Sequence, residues 1–347
     1  MSNFLKVAGL LMAFAIASLL WTGCYNDPFT IAENTFDHFF LYSDKQVMPV
    51  TVSGNTASGK MILIIHGGPG GGALVYKDSY MDEIVERDFA VVYWDQRYAG
   101  GSQGNGGPSH ISNFRRDIMK LIHLLKSKYG SQQKIYLFGH SWGGFLAPYF
   151  LIESNNQDLV EGWIQVGGAH NYLMNDSLTL QMLLFYGQQE LNAGRNTNDW
   201  SPIVEFCSNN DFRGRSNAIR LNQYAHLAET LMPDVIEPDF DLISNFISLK
   251  IPLTAHLTNL LASGIQKIDE PTYTEPISEN LYKINIPTLL LWGLYDFVCP
   301  PGLMEDILEN AGSQQIEFHL FQRSGHSPMA NEPELFWSGV VDWIHRN

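Results

Sequence analysis

The sequence predicts an α/β fold in which helices flank a mostly parallel central sheet and a helical segment interrupts the sheet-forming part of the chain. Short apolar runs rich in β-branched and aromatic residues alternate with amphipathic segments from residue 47 to about residue 168, which is the pattern of repeated βαβ units. Between about residues 171 and 284 the alternation stops, and strong strand runs are missing. Buried strand patterns then return before the chain ends.

Seven strands and two helices have boundaries that the sequence predicts. The strands are apolar runs of five to seven residues: 47–52, 61–65, 89–94, 134–138, 160–166, 286–292 and 316–321. A helix is expected over residues 111–129, because apolar side chains recur there at helical spacing and Gly130 follows as a stop signal. A second helix is expected over residues 334–346.

The composition is that of a folded protein with no affinity for polyanions. Hydrophobic residues make up 45% of the 347 residues and charged residues 16%, which excludes a disordered, collagen-like or coiled-coil chain. The formal net charge is −15, and binding to nucleic acid or anionic lipid needs clustered Lys and Arg. We therefore expect no nucleic-acid partner, and no protein partner is evident from the sequence.

The three cysteines indicate neither a metal site nor a disulfide framework. Cys24, Cys207 and Cys299 lack the short paired spacings of a zinc site, and they are too few to staple a small fold. If the protein is exported, a single bridge between Cys207 and Cys299 is compatible with their number.

The N-terminus resembles that of a bacterial lipoprotein. Residues 7–20 are consecutive apolar or small residues, a run too short for a membrane span and typical of a signal-peptide core. The following WTGC, residues 21–24, resembles a lipobox with Trp21 in place of the usual Leu. We expect residues 1–23 to be a lipoprotein-type signal peptide and Cys24 to be lipidated. The lipid would anchor the exported protein on the extracytoplasmic side of a bacterial membrane. An uncleaved anchor, a cleaved secretory peptide and a buried helix are the alternatives.

The strongest chemical signal is GHSWG at residues 139–143, which follows the predicted strand 134–138 and precedes a helical stretch. This satisfies the G-x-S-x-G nucleophile elbow in its required context of strand, tight turn and helix. The glycines are needed because side chains two residues either side of Ser141 would collide with the neighbouring strand and helix. Pro148, within the helix, is expected to kink it and to free the Gly144 carbonyl. Ser141 is the predicted nucleophile.

A serine nucleophile needs a base that is itself oriented by an acid. In this architecture the order along the chain is Ser, then Asp or Glu, then His. Asp296 follows the strand at 286–292, and His326 follows the strand at 316–321. We predict that His326 is the base and Asp296 its partner, with Asp269 and Glu270 in the insertion as competing acids.

The glycine-rich run at residues 67–72 follows a buried strand directly, which argues against a linker. It lacks the Lys and Ser/Thr partners of a phosphate loop, and Pro69 removes one amide. We interpret it as the loop that supplies one donor to an oxyanion hole, the backbone N–H of Gly68. The second donor is the backbone N–H of Trp142.

Three blocks together resemble the α/β-hydrolases, and within them the proline iminopeptidases and related serine aminopeptidases. They are HGGPG at 66–70, WDQR at 94–97 followed by GGS at 100–102, and GHSWGG at 139–144. The likeness covers roughly residues 40–168 and 285–347. The family usually has Gly where this chain has Tyr98 and His140, differences that leave the triad intact and bear on the choice of substrate.

The resemblance implies an α/β-hydrolase fold: a core formed by residues 24–169 and 286–347, with a helical cap at residues 170–285. It also implies that acidic side chains of the cap hold the free α-amino group of the substrate. Glu190 and Glu205 are the candidates, and a solvated helix face is the alternative interpretation of both. Arg97 is expected to be a structural pairing residue that fixes the loop near Asp95.

The predicted function is that of a serine hydrolase that requires no metal and no organic cofactor. Within that class we favour an aminopeptidase that releases the N-terminal residue, proline included, from short peptides or amino-acid amides through an acyl-enzyme. A carboxylesterase or lipase-like enzyme acting on small uncharged esters is the alternative. A surface binding protein on a hydrolase scaffold is a third reading, which the complete triad argues against. Dehalogenases and epoxide hydrolases are disfavoured because they place Asp at the elbow.

Overall fold

The computed structural model describes residues 37–104, 110–153, 155–209, 215–237 and 277–347. The predicted signal peptide at residues 1–23 and the predicted lipidation site Cys24 lie outside these ranges, as do Asp269 and Glu270. Within them, no helix has the length and apolar character needed to cross a membrane.

One sheet organises the described chain. Its strands are β1 (Asp37–Ser43), β2 (Gln46–Gly54), β3 (Lys60–Ile65), β4 (Ala90–Trp94), β5 (Gln103–Gly104), β6 (Lys134–His140), β7 (Gly162–Val166), β8 (Thr288–Gly293) and β9 (Ile316–Phe321). The order is β1-β2-β4-β3-β6-β7-β8-β9, with β5 paired to β2. Strands β1, β2 and β4 pair antiparallel, and all pairs from β4 to β9 are parallel. The predicted fold class is confirmed.

Helices follow most of the strands. They are α1 (Ile111–Tyr129), α2 (Gly143–Leu151), α3 (Tyr172–Asn192), α4 (Thr197–Asn209), α5 (Arg215–Leu231), α6 (Ile277–Asn280), α7 (Gly302–Asn310), α8 (Pro328–Asn331) and α9 (Pro333–Arg346). Short 3-10 turns lie at Thr56–Ser58, Ala73–Tyr76, Asn156–Leu159 and Leu281–Lys283, and a π-helical turn lies at Met81–Val85.

The predicted elements agree closely with the structure. All seven predicted strands are present with ends shifted by at most two residues, and α1 has both of its predicted ends. The sequence analysis missed β1, β5 and α7. Strand β1 is an edge strand that exposes 58% of Phe40 and 67% of Tyr42, so it lacks the buried run by which the inner strands are recognised.

Apolar side chains cover both faces of the sheet, as a parallel sheet requires. On one face α1 and α2 place Leu121 and Phe145 in the same apolar cluster as Trp94. On the other face α9 stacks Trp337 on Phe138, with ring centroids 5.6 Å apart. This double cover fixes the carboxyl ends of the parallel strands, where the predicted site residues lie.

Helix α2 contains Pro148 and continues to Leu151. The expected loss of a helical donor to the Gly144 carbonyl is compensated, because Gln165 Nε2 donates to that carbonyl at 2.7 Å. Gln165 is fully buried on β7. A strand side chain therefore takes the place of the missing helix donor, and the helix runs from Gly143 to Leu151.

The predicted cap at residues 170–285 is described in part, and the described parts contain α3, α4, α5 and α6. Helix α3 rests on the loop that follows β8. Asn175 Nδ2 donates to the Val298 carbonyl and Thr179 Oγ1 donates to the Phe297 carbonyl, both at 3.0 Å. The first helix of this region is thereby fixed beside the loop that carries Asp296.

Two of the three cysteines lie in the described part of the chain. Cys207 on α4 and Cys299 in the loop after β8 are both buried free thiols. Burial raises the pKa of the Cys207 thiol to about 11. The bridge that their number would allow is not formed in this structure.

Candidate active site

Ser141 occupies a tight turn between β6 and α2. Its backbone φ is 55°, in the left-handed region that residues with a side chain rarely adopt. The Ser141 N–H donates to the Val166 carbonyl at 3.1 Å, and the Ser141 carbonyl accepts from the N–H groups of Gly144 and Ala169 at 2.9 and 3.2 Å. A strained serine held at the carboxyl end of a parallel strand has the geometry of a nucleophile elbow.

The glycines around Ser141 leave no space for side chains. A Cβ atom at Gly143 would lie 1.7 Å from the Ile65 carbonyl oxygen, and one at Gly139 would lie 2.6 Å from the Gly143 carbonyl oxygen. A Cβ at Gly144 would lie 2.3 Å from the Cα of Gly168. The expected mechanical role of these glycines follows from close backbone approach to β3 and to the end of β7.

Asp296 and His326 meet at the same edge of the sheet, after β8 and β9. His326 Nδ1 lies 3.0 Å from Asp296 Oδ2 and 3.1 Å from Oδ1. Asp296 Oδ1 also accepts from the Cys299 N–H at 2.6 Å, and the Asp296 side chain is fully buried. The structure thus brings the predicted acid and base into contact through Nδ1, and no hydrogen bond of His326 Nε2 is made to the part of the chain that the structure describes.

Gly167 makes room for this pair, and the sequence analysis missed it. Its φ is 44°, and a Cβ there would lie 2.8 Å from Asp296 Oδ2 and 3.3 Å from His326 Nδ1. The available signal was the Gly-Gly pair directly after the predicted strand at residues 160–166.

Burial sets the proton affinities of the acid and base. It lowers the pKa of His326 to about 4, because an imidazolium is disfavoured away from water. Burial raises the pKa of Asp296, opposed by the backbone N–H groups of Cys299 and Val298. His326 is therefore neutral at neutral pH, which is the form that accepts a proton. The hydrogen bonds of the described residues include none between Ser141 Oγ and His326, and such bonds often tighten only with substrate.

The backbone N–H groups of Gly68 and Trp142 are the predicted oxyanion donors. Among the described residues, neither N–H donates to a protein acceptor. Gly68 has a φ of 141°, and a Cβ there would lie 2.7 Å from the Gly70 nitrogen. Both amides are thus available to a ligand oxygen, and only glycine fits the Gly68 backbone.

Gln96 connects the two loops that carry these amides. Its Nε2 donates to the His66 carbonyl at 2.9 Å, and its Oε1 accepts from the Trp142 indole Nε1–H at 3.0 Å. The Gln96 N–H in turn donates to His66 Nε2 at 3.1 Å. All three residues are buried. The central residue of the DQR block therefore holds the glycine-rich loop and the elbow at a fixed separation.

Asp95 anchors the ends of two loops. Its carboxylate accepts from the N–H groups of Ala73 and Gly101, each at 2.8 Å. Its carbonyl accepts from Ser102 Oγ at 2.9 Å. The first residue of the DQR block thus fixes the far end of the glycine-rich loop and the GGS turn.

Arg97 is a buried pairing residue, as expected, and its principal partner is Asp117 on α1. The two side chains form a bidentate pair, with Nε to Oδ2 at 2.6 Å and Nη2 to Oδ1 at 2.8 Å. The next residue, Tyr98, has a φ of 61°, which explains why glycine is usual at this position in the similar family. Tyr98 nevertheless is 95% buried.

The two predicted amine ligands are Glu190 and Glu205. The contacts that the structure gives for them do not place a free carboxylate beside Ser141. Glu190 is buried on α3 and is paired with Arg195, whose Nε donates to Glu190 Oε2 at 2.7 Å. Glu205 is exposed on α4. The alternative interpretation, a position on a solvated helix face, fits Glu205.

Glu229 on α5 contacts the loops of the acid and base, and the sequence analysis missed it. Its Oε1 accepts from the Phe297 N–H at 3.2 Å. Burial and the nearby Asp296 charge raise the pKa of Glu229, whereas backbone hydrogen bonds from His326, Phe297 and Val298 lower it. His226, one turn earlier on α5, places its ring centroid 6.2 Å from that of His326. The spacing H-x-x-E was the only available signal.

Asp176 on α3 is a second acidic group missed from the sequence. Burial raises its pKa to about 6, and its charge contributes to the raised pKa of Cys299. Among the described residues, its carboxylate has no hydrogen-bond or ion-pair partner. The described residues include no group of three or more His, Cys, Asp or Glu side chains arranged to hold a metal ion.

The chain is similar to known proteins in sequence and in fold. The family described as serine aminopeptidase, S33, matches residues 57–190. A probable aminopeptidase of Bacillus subtilis is 23% identical over 301 residues, covering 82% of this chain and 89% of that protein. A proline iminopeptidase of Clostridioides difficile is also 23% identical, covering 85% and 93%. An esterase from Exiguobacterium antarcticum has a similar structure, with a TM-score of 0.57, 19% identity and coverage of 90% and 99%.

Proposed function

We propose that this α/β-hydrolase is a serine aminopeptidase that releases the N-terminal residue of short peptides or amino-acid amides. The observation that carries the proposal is the contact between His326 and Asp296 at 3.0 Å, at the sheet edge where Ser141 occupies a strained turn. The match to the serine aminopeptidase family supports a hydrolase. The aminopeptidase named among the relatives supports the choice of substrate.

In the proposed reaction, Ser141 Oγ attacks the carbonyl carbon and His326 Nε2 accepts the hydroxyl proton. The resulting oxyanion accepts hydrogen bonds from the N–H groups of Gly68 and Trp142. Collapse of the tetrahedral intermediate breaks the C–N bond, and His326 gives its proton to the leaving amine. Water, deprotonated by His326, then attacks the acyl-enzyme and regenerates the Ser141 hydroxyl.

Asp296 supports both proton transfers. Burial raises its pKa in the absence of a cation, and the imidazolium of His326 supplies a cation at 3.0 Å. The negative carboxylate is therefore favoured when the imidazolium forms, which is when its charge lowers the barrier.

For the substrate amine we propose the carboxylates of Asp176 and Glu229 as ligands. Both belong to helices beside the Asp296 and His326 loops, and both are partly buried, with burial raising the pKa of each. A partly buried carboxylate gains more from an ammonium group than an exposed one does, because less water screens the attraction. Asp176 is the stronger candidate, because Glu229 already accepts from the Phe297 N–H.

An esterase is the second candidate function. Arg195 neutralises Glu190, one of the acids that the sequence suggested for amine binding. An esterase of known structure shares the fold over 90% of the chain. An uncharged ester needs the same nucleophile, base and oxyanion donors but no amine ligand.

A substrate panel separates the two functions. Prolyl and other aminoacyl naphthylamides would be assayed beside N-acetylated aminoacyl naphthylamides and nitrophenyl esters. An aminopeptidase cleaves the free-amine substrates and loses activity on their acetylated forms. Ester cleavage with no aminoacyl turnover would contradict the aminopeptidase proposal, and failure of folded protein to react with a fluorophosphonate would contradict a serine hydrolase altogether.

The N-terminal segment carries a separate proposal. We propose that Cys24 is lipidated and that the protein acts at the extracytoplasmic side of a membrane, on the strength of the lipobox-like residues 21–24. Metabolic labelling with a palmitate analogue, compared between the full chain and Cys24→Ala, tests it. Equal labelling of both proteins would contradict it.

A further inference from the structure

A chain of hydrogen bonds joins the glycine-rich loop to the His326 loop through Tyr76 and His140. The Gly67 N–H donates to the Tyr76 hydroxyl at 3.0 Å. The same hydroxyl lies 2.7 Å from His140 Nδ1, and His140 Nε2 lies 2.9 Å from the His326 carbonyl oxygen. We call these four groups the His140 bridge.

The two end groups of the His140 bridge, the Gly67 N–H and the His326 carbonyl, determine the directions of the hydrogen bonds between them when His140 is neutral. The Gly67 N–H can only donate and the His326 carbonyl can only accept. The Tyr76 oxygen therefore accepts from Gly67 and gives its own proton to His140 Nδ1, and His140 Nε2–H donates to His326. Neutral His140 protonated on Nε2 makes all three bonds and uses every proton in the bridge. An imidazolium would instead donate from Nδ1 to the Tyr76 oxygen and would leave the Tyr76 proton without an acceptor in the bridge.

The surroundings favour this state. Tyr76 and His140 are each 8% exposed, and their rings meet edge to face with centroids 5.8 Å apart. Burial and the neighbouring His326 and His66 lower the pKa of His140 to about 3, against the backbone bond to His326. A broken bridge would leave buried polar groups unpaired, which is costly.

We propose that Tyr76 and His140 are positioning residues that hold the oxyanion loop and the catalytic base in register. His140 stands in the elbow where glycine is usual in the similar family. Its side chain thus connects two loops that a glycine would leave unconnected. Both backbone polar groups of His326 have partners: its carbonyl accepts from His140, and its N–H faces the Glu229 carboxylate. The proposal rests on the proposed serine hydrolase function.

Tyr76→Phe removes the central hydroxyl and keeps the ring. Tyr136→Phe is the matched control, because Tyr136 is buried in the same apolar cluster and its hydroxyl has no partner among the described residues. We expect Tyr76→Phe to lower kcat about tenfold with KM nearly unchanged, which corresponds to about 1.4 kcal/mol in the barrier. Tyr136→Phe should leave kcat at the wild-type value. Equal kcat values for the two variants would overturn the proposal.

The pH profile separates positioning from general destabilisation. The titratable groups that face His326 are Asp296, Glu229, His226 and His140. In the wild type, kcat/KM should fall as pH falls through about 4, the pKa of His326. In His140→Asn, which does not reach the His326 carbonyl, the looser His326 loop admits water, so the acid limb should move up toward about 6.5, the ordinary histidine value. Tyr76→Phe keeps the His140 bond to that carbonyl and should leave the acid limb in place. An acid limb that stays in place in His140→Asn would overturn the proposal.

Two substitutions of His140 separate its bond to Tyr76 from its bond to His326. His140→Asn retains an acceptor for Tyr76 but does not reach the His326 carbonyl, so it should shift the acid limb. His140→Gln reaches that carbonyl but offers Tyr76 no matched acceptor, so it should lower kcat and leave the acid limb in place. Thermal unfolding of each variant identifies any that fail to fold.

A measurement without substrate keeps this proposal distinct from the proposed function. Imidazole ¹⁵N NMR of the wild type should show His140 neutral, protonated on Nε2, down to about pH 4. A His140 that titrates near its ordinary pKa, or that carries its proton on Nδ1, would overturn the bridge. If the wild type reacts with no substrate and no fluorophosphonate, the function fails and the NMR result still decides the bridge.

Discussion

The two sides of the candidate site are built differently. The loop side, residues 66–73 and 95–102, is fixed by internal hydrogen bonds: Gln96 bridges His66 and Trp142, and Asp95 holds Ala73 and Gly101. We call the other side, formed by α3 and α5 of the predicted cap, the cap side, and it presents carboxylates instead. Of these, Asp176 has no hydrogen-bond partner among the described residues.

The difference matches what each side has to do. Oxyanion donors must already be in place when charge develops, so their supports are rigid and internally satisfied. A side chain that binds the substrate must release water or a proton when the substrate arrives, so its carboxylate oxygens are left without protein partners. Changes on the loop side should therefore reduce turnover of every substrate, whereas changes on the cap side should discriminate among substrates.

The largest effect is expected at the point where the two sides meet. Ser141→Ala should lower kcat by about 10⁶-fold, as loss of a triad nucleophile does elsewhere. The folded protein should keep its thermal unfolding midpoint and lose all fluorophosphonate labelling. Retention of substantial turnover by this variant would remove Ser141 from the chemistry.

The loop side depends on the Arg97 and Asp117 pair for its stability. Asp117→Ala leaves the Arg97 guanidinium buried without its bidentate partner, so it should lower the free energy of unfolding by about 3–5 kcal/mol. Glu161→Ala, which breaks the exposed pair of Lys134 and Glu161, is the control and should cost at most about 1 kcal/mol. Urea unfolding of both variants measures the difference, and similar losses would argue that Arg97 is adequately held by other contacts.

Gln96→Leu tests the internal fixing of the loop side. It removes the bonds to the His66 carbonyl and the Trp142 indole together, so kcat should fall roughly 10- to 100-fold for amides and esters alike, less than deletion of an oxyanion donor. Gln96→Glu retains an acceptor for Trp142 and should be intermediate. A loss confined to one substrate class would contradict the distinction between the two sides.

The smallest effect is expected on the cap side. Asp176→Asn removes a charge with little change in shape, so kcat/KM for free-amine substrates should fall by about five- to tenfold, the equivalent of about 1 kcal/mol. Turnover of uncharged esters should stay constant. Glu205→Gln, at an exposed position, is the control, and an equal loss in both variants would indicate a general field effect rather than a ligand at Asp176.

Much of the fold and the positions of the proposed triad residues were predictable, because those signals are local. A buried strand is a short apolar run, and an elbow is five consecutive residues. Ser141, Asp296 and His326 each directly follow such a run or lie in the loop beyond it, and parallel strands bring their carboxyl ends to one edge. That order predicts that His326 and Asp296 lie at one edge, and the structure places them in contact at 3.0 Å.

The sequence by itself thus determined seven of the nine described strands, the elbow and the order of Ser141, Asp296 and His326, since each depends on spacing along the chain. Only the tertiary structure decided the partners across the chain. Tyr76 meets His140 over 64 residues and Arg97 meets Asp117 over 20, and a side chain's partner at such distances depends on how helices pack on the sheet. The cap carboxylates belong to this second group, because no local pattern distinguishes an acid that faces His326 from one that faces water.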